Sequence, residues 1–340
     1  MLTVNPVQAK ELLVDCLKAK LVPMLTGSPG IGKSAIVKEI AAEYGLKVID
    51  VRLSQSDPTD MNGFPHVDPE TGKGTYLPMD IFPIESDPLP DGHNGWLLFL
   101  DEFNSASNAV QAAAYKVTLD RQIGKHSLHE KCVVMCAGNK RTDGAIVNRL
   151  STAMQSRLVH LSLDVSFDNF IDYATEANLD HRITDYIKFK PESLYRFSPD
   201  HNDETYPCPR TWEFIHRLIN KWDSIDIKKL PLLAGTIGEG AAREFLTFTR
   251  IYKSLPKMAD IIRNPEGVEI AKDPSVLYAL TGAVSNHFNK DNADALTKFV
   301  MRLPPEFGVV TFKDIRKRKP ALTELPCVRQ WIATNAAKFL

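Results

Sequence analysis

The 340-residue sequence predicts a three-layer α/β fold with a mostly parallel sheet, followed by a helical region. Three observations predict it. Short apolar runs alternate with amphipathic helical stretches through the first half of the chain, the pattern of strands joined by crossover helices. Two of those runs, Trp96–Leu100 and Val133–Ala137, are continuously apolar, as strands buried on both faces must be. After Leu163 the strand signals fade and helical spacing takes over.

The elements follow in order. Val7–Lys18 places Val7, Leu12, Leu13, Cys16 and Leu17 at helical spacing. Leu21–Leu25 is a short apolar strand that leads into a glycine-rich turn, and Ser34–Tyr44 is a helix. Val48–Leu53 alternates as a strand. Trp96–Leu100, Val133–Ala137 and Leu158–Leu163 complete five strands, with Ala106–Leu119 a helix between the third and fourth. Ser54 to Gly95 is polar and rich in Pro and Gly, too long for a passive connector, so an inserted loop or hairpin is expected there. Pro191–Pro209 is a candidate linker or loop. Thr211–Trp222, Gly235–Tyr252 and Pro274–Asn286 are expected helices. The boundaries drawn from this are 1–165 for an α/β domain, 166–225 for a first helical region and 226–340 for a helical C-terminal extension.

Hydrophobic residues are 44% of the chain and charged residues 24%, ordinary values that allow a sizeable core. The formal net charge of −1 lacks the basic surplus of many nucleic-acid binders. No basic start with an apolar run follows Met1, and no apolar stretch is long enough to span a bilayer. Five scattered cysteines with no C-x-x-C suggest reduced thiols in a cytoplasmic protein.

Gly27-Ser28-Pro29-Gly30-Ile31-Gly32-Lys33-Ser34 fits G-x-x-x-x-G-K-[ST] at every fixed position, between a strand and a helix as the motif requires. Its glycines let backbone N–H groups point at phosphate oxygens, and the helix start adds partial positive charge. Lys33 is expected to reach the β- and γ-phosphates of ATP, and the Ser34 hydroxyl to ligate Mg²⁺. A later buried strand ends in Asp101-Glu102. Carboxyl ends of strands are where ligands sit in open α/β sheets, so Asp101 is the expected Mg²⁺ carboxylate and Glu102 the group that orients and deprotonates water. Asn139 at the tip of the next strand is either an ordinary turn residue or an amide that touches γ-phosphate and water.

Together these residues resemble the AAA+ ATPases. The run Asp101-Glu102-Phe103-Asn104-Ser105-Ala106, with Val110-Gln111-Ala112-Ala113 and Leu119-Asp120-Arg121-Gln122, is similar to the MoxR-type branch; Asp120 stands where that branch has Glu. The resemblance spans about Val4 to Trp222. It implies a parallel sheet of order 5-1-4-3-2, a helical lid and a ring, commonly hexameric, with ATP at subunit interfaces. It implies an arginine finger for the neighbouring subunit at Arg157 in Met154-Gln155-Ser156-Arg157-Leu158, where Leu158 replaces the usual Phe, with Arg149 as the rival. It implies a sensor arginine at Arg210 in Pro209-Arg210-Thr211. It also implies ATP-driven remodelling or maturation of a protein client, often with a separate von Willebrand A domain partner. A nucleic-acid-stimulated motor and a slow nucleotide-gated scaffold are the alternatives.

Of the remaining features, Phe64 and Tyr76 are expected to pack within their own loop, the alternative being a grip on a partner in a central pore. His126, His129 and Cys132 match no zinc spacing and are expected in a solvated turn. Cys132 and Cys136 share one strand face and are expected to pack. The basic run Lys313–Pro320 is expected to be a solvated face.

Overall fold

The computed structural model describes residues 2–143, 147–199 and 203–335. Three residues of the expected linker (200–202) and the last five of the expected extension lie outside them. The chain forms two compact units, Met1–Ser166 with Ser198–His201, and Phe167–Phe197 with Asn202–Leu340.

The first unit is built on strands β1 (Thr3–Val4), β2 (Pro23–Thr26) and β3 (Leu46–Arg52), the hairpin strands β4 (Phe64–Val67) and β5 (Gly74–Leu77), then β6 (Gly95–Asp101), β7 (Gln122–Ile123), β8 (His126–Ser127), β9 (Cys132–Gly138) and β10 (Val159–Leu163). Its helices are α1 (Pro6–Lys18), α2 (Lys33–Glu43), α3 (Pro58–Asn62), α4 (Asn108–Leu119) and α5 (Thr152–Gln155). The central sheet is parallel throughout, in the order β1-β10-β2-β9-β6-β3. The five expected strands thus stand in the order 5-1-4-3-2. A sixth, two-residue strand pairs Thr3 with Ser162 and Val4 with Leu163 at the β10 edge; it is too short to show a period.

Side-chain alternation divides the core. Trp96, Leu98 and Leu100 of β6 join Cys132, Val134 and Cys136 of β9 and Val110, Ala114 and Val117 of α4. On the other side α2 packs on β3 and β6, and α1 on β2 and β10. Asn5 caps α1, its side chain accepting from Gln8 N at 2.9 Å while the Gln8 side chain accepts from Asn5 N at 3.3 Å. Both cysteines of β9 pack in the core as expected, and burial pushes the Cys132 thiol up to about 11. His129 sets its ring edge-on to Trp96 at 4.9 Å and Cys132 is buried in β9, so neither lies in the solvated turn expected of them.

The Ser54–Gly95 stretch holds α3 and the antiparallel hairpin β4–β5. Phe64 is 64% exposed and Tyr76 48%, so neither ring packs into the loop as expected. Gly124 lies hard against this hairpin. A Cβ there would come within 3.1 Å of Tyr76 Cβ and 3.2 Å of the Asn62 carbonyl oxygen, at φ 58°.

The second unit is helical: α6 (Phe167–Glu176), α7 (His181–Phe189), α8 (Pro209–Ile219), α9 (Leu230–Ile237), α10 (Glu239–Ser254), α11 (Met258–Arg263), α12 (Pro274–His287), α13 (Ala293–Val300), α14 (Pro305–Arg318) and α15 (Pro326–Thr334). The helix expected over Gly235–Tyr252 is broken, because Gly238 takes φ 82°, outside the helical region. The described part of the expected linker is packed: Phe197 meets Tyr206 at 4.8 Å, and Trp212 Nε1 donates to the Ser193 carbonyl oxygen at 3.0 Å. The basic run in α14 is not simply solvated. Arg318 donates to the buried Asp314 at 3.1 Å, Lys317 pairs with Asp172, and Lys319 donates to the carbonyl oxygens of Asn286 and Phe288 at 2.8 Å. No described helix is long and apolar enough to cross a membrane.

Candidate nucleotide site

The site forms where β2, β6 and β9 end side by side. The loop Gly27–Ser34 leaves β2 and turns into α2. Gly30 and Gly32 have φ 77° and 97°, a region that a residue with a Cβ enters only at a cost. Nothing lies within 4 Å of where a Gly32 Cβ would be, so it is the backbone conformation and not crowding that calls for glycine there. Gly27 N donates to the Gly138 carbonyl oxygen at 3.2 Å, tying the loop to the end of β9.

Lys33 begins α2 and folds its side chain back over the loop. Its Nζ donates to the carbonyl oxygens of Gly27 at 2.6 Å and Ser28 at 3.1 Å, and to Asn139 Oδ1 at 3.2 Å. The ammonium is therefore surrounded by oxygen acceptors, a coordination that phosphate oxygens reproduce. Ser34 Oγ donates to Asp101 Oδ2 at 3.3 Å. A hydroxyl and a carboxylate meeting beside a phosphate loop are the hard oxygen donors that Mg²⁺ takes, so the residues present fit the ion.

Glu102 follows Asp101 with φ 55°, an uncommon conformation for a residue with a side chain. The turn is held by Glu102 N donating to Asp101 Oδ1 at 2.8 Å. The Ser54 hydroxyl donates to the Glu102 carboxylate, fixing its direction from the end of β3. Asp50, on β3, has its carboxyl pushed up from the usual range by burial and by the charge of Asp101.

Asn139 is held by its backbone. Asn104 Nδ2 donates to the Asn139 carbonyl oxygen at 2.8 Å, and Asn139 N donates to Asn104 Oδ1 at 3.1 Å. Both ends of the Asn104 amide are used, which leaves the Asn139 side chain for Lys33. Gly138 makes room for this clamp: a Cβ would sit 2.2 Å from Asn104 Oδ1. Ser54, Asp50 and Asn104 were not singled out as site residues from the sequence. Asn104 lies inside the Asp101–Ala106 run, and its place in that run is the one sequence signal that bears on it.

The expected arginines are all exposed. Arg157 is exposed just after α5; its Nη1 donates to the Ala153 carbonyl oxygen at 3.0 Å and its guanidinium lies 5.4 Å from the Tyr115 ring centre. Arg149 is exposed in the segment before α5, and Arg210 is exposed in the first turn of α8, in the second unit. No cluster of three metal-ligating side chains occurs among the described residues.

Residues 23–160 match the model of the family described as "ATPase family associated with various cellular activities (AAA)". With the sheet order, this gives residues 23–160 the AAA-type P-loop domain fold, followed by a helical C-terminal region. Among solved structures, the chain is similar to a point mutant of RuvB from Thermotoga maritima, at 16% identity and TM-score 0.42, over 87% of this chain and 88% of that one. It is also similar to a putative ATPase from Cytophaga hutchinsonii, at 15% identity and TM-score 0.36, over 98% and 88%. Similarities this low add nothing to the family match.

Proposed function

We propose that this protein is a MoxR-like AAA+ ATPase that hydrolyses Mg-ATP at subunit interfaces and uses the energy to remodel or mature a protein client. The observation that carries the proposal is the convergence of Lys33 on Asn139 Oδ1, beside Ser34 on Asp101, at one end of a parallel sheet. Lys33 and the loop amides of Gly27–Ser34 bind the β- and γ-phosphates. Ser34 and Asp101 hold Mg²⁺, which when bound neutralises phosphate charge. Glu102 takes a proton from water as the water oxygen attacks the γ-phosphorus and ADP leaves. Asn139 orients that water, and Arg157 of a neighbouring subunit neutralises charge developing on the transferred group. Residues 166–225 act as the lid, with Arg210 coupling nucleotide state to lid angle, and 226–340 as a helical extension. The MoxR-type reading is supported by the run from Asp101 to Gln122; a separate von Willebrand A domain protein fits as partner. The near-neutral chain does not favour nucleic acid.

The test is ATPase rate per subunit against protein concentration, with light scattering on the same samples. Specific activity is expected to rise as a ring forms. Flat activity from a monomer would remove the shared site and leave a nucleotide-gated scaffold as the reading.

A further inference from the structure

An arginine that serves a neighbouring subunit must be exposed, yet an exposed arginine samples many rotamers and loses that freedom when it engages a phosphate. The surroundings of Arg157 reduce that freedom in advance. The backbone before it is fixed to α4. Ser151 caps α5 by accepting from Met154 N at 3.2 Å, and Gln155 Nε2 donates to the Leu150 carbonyl oxygen at 2.7 Å. Met154 is 3% exposed, and its sulfur accepts from the Thr118 hydroxyl at 3.9 Å. The guanidinium is then held twice, by the Ala153 carbonyl oxygen at 3.0 Å and by the Tyr115 ring at 5.4 Å. Tyr115 is half-buried and packed against the core of the first unit, so its ring is itself fixed. Among the described residues no carboxylate pairs with Arg157. A carbonyl and an aromatic face orient the cation without cancelling its charge, whereas a carboxylate would both orient and neutralise it.

We propose that Tyr115 is a positioning residue that holds Arg157 in the orientation a neighbouring active site receives. This rests on the reading of Arg157 as the finger. The test uses the full chain, with Tyr115→Leu, Tyr115→Phe, Arg157→Ala and the double variant Tyr115→Leu/Arg157→Ala, measured for assembly, kcat and KM for ATP. In assembled protein Tyr115→Leu is expected to lower kcat roughly two- to five-fold, the size of an exposed cation–π contact. KM stays unchanged, Tyr115→Phe restores kcat, and Tyr115→Leu costs nothing further once Arg157 is Ala. A series of fluorinated phenylalanines at position 115 keeps the packing and withdraws ring electron density, so kcat is expected to fall stepwise along it. The proposal is overturned if Tyr115→Leu leaves kcat unchanged or raises it, if the loss persists in the Arg157→Ala background, or if fluorination has no effect. Full turnover by Arg157→Ala alone would instead remove the finger reading on which the proposal stands.

Discussion

Glu102 shows how much is set by a single residue. Its left-handed backbone, the Asp101 side chain that caps it and the Ser54 hydroxyl on its carboxylate leave the acid in one direction at the end of β6. Glu102→Gln keeps length and hydrogen bonding but cannot take a proton. Turnover is expected to fall by roughly 100-fold or more with ATP affinity retained, as read by phosphate release and by binding of a fluorescent nucleotide. Persistent turnover would mean that another group is the base. The Asp101-Glu102 pair and the phosphate loop were legible in the sequence, because both are local patterns at fixed spacing. The Asn104–Asn139 clamp joins residues 35 positions apart. It depends on Gly138 leaving space for an amide, which no spacing rule reveals.

Elements carry their own chemistry. In the second unit, Glu244 of α10 accepts from Lys190 and Arg196 at 2.9 Å and from Tyr186 at 3.0 Å. Burial pushes its carboxyl up, but the hydrogen bonds from Lys190, Arg196 and Tyr186 outweigh that and hold it at about 2. A carboxyl whose folded pKa lies below its unfolded value stabilises fully above about pH 4.3, and that stability is lost as pH falls toward the folded pKa. Glu244→Gln is therefore expected to lower the melting temperature at pH 7 by about 2 °C, modest because the group is partly exposed. The gap to the parent protein should narrow between pH 4 and pH 2. A gap that is constant across that range would mean that the carboxylate charge adds nothing. The hairpin β4–β5 is the expected insertion, and only its aromatic rings depart from expectation. The insertion was legible from the Pro- and Gly-rich stretch, but the exposure of Phe64 and Tyr76 was not, because an aromatic residue in a loop has the same sequence whether it packs or projects. The break at Gly238 is similar: helical spacing continues through it, and only the backbone dihedral separates α9 from α10.

At the scale of the whole molecule the proposed chemistry needs more than one copy. Arg157→Ala and Glu102→Gln each disable every interface of a uniform ring. In an equal mixture about a quarter of the interfaces pair an intact base with an intact finger under random assembly. ATPase activity is therefore expected to appear on mixing two inactive proteins. No gain from assembled mixtures would show that Arg157 does not act in trans. What the sequence determined by itself was the order of strands and helices, the phosphate loop and the acidic pair, because apolar period and short motifs are encoded within a few residues of one another. The family resemblance carried which of the five strands lie side by side; only the tertiary structure decided that a sixth joins the edge, that Lys33 meets Asn139 across 106 positions, and that Tyr115 lies under Arg157. The physical reason is that burial and hydrogen bonding are satisfied between segments distant in the chain, and the partners are fixed only when the sheet closes its order.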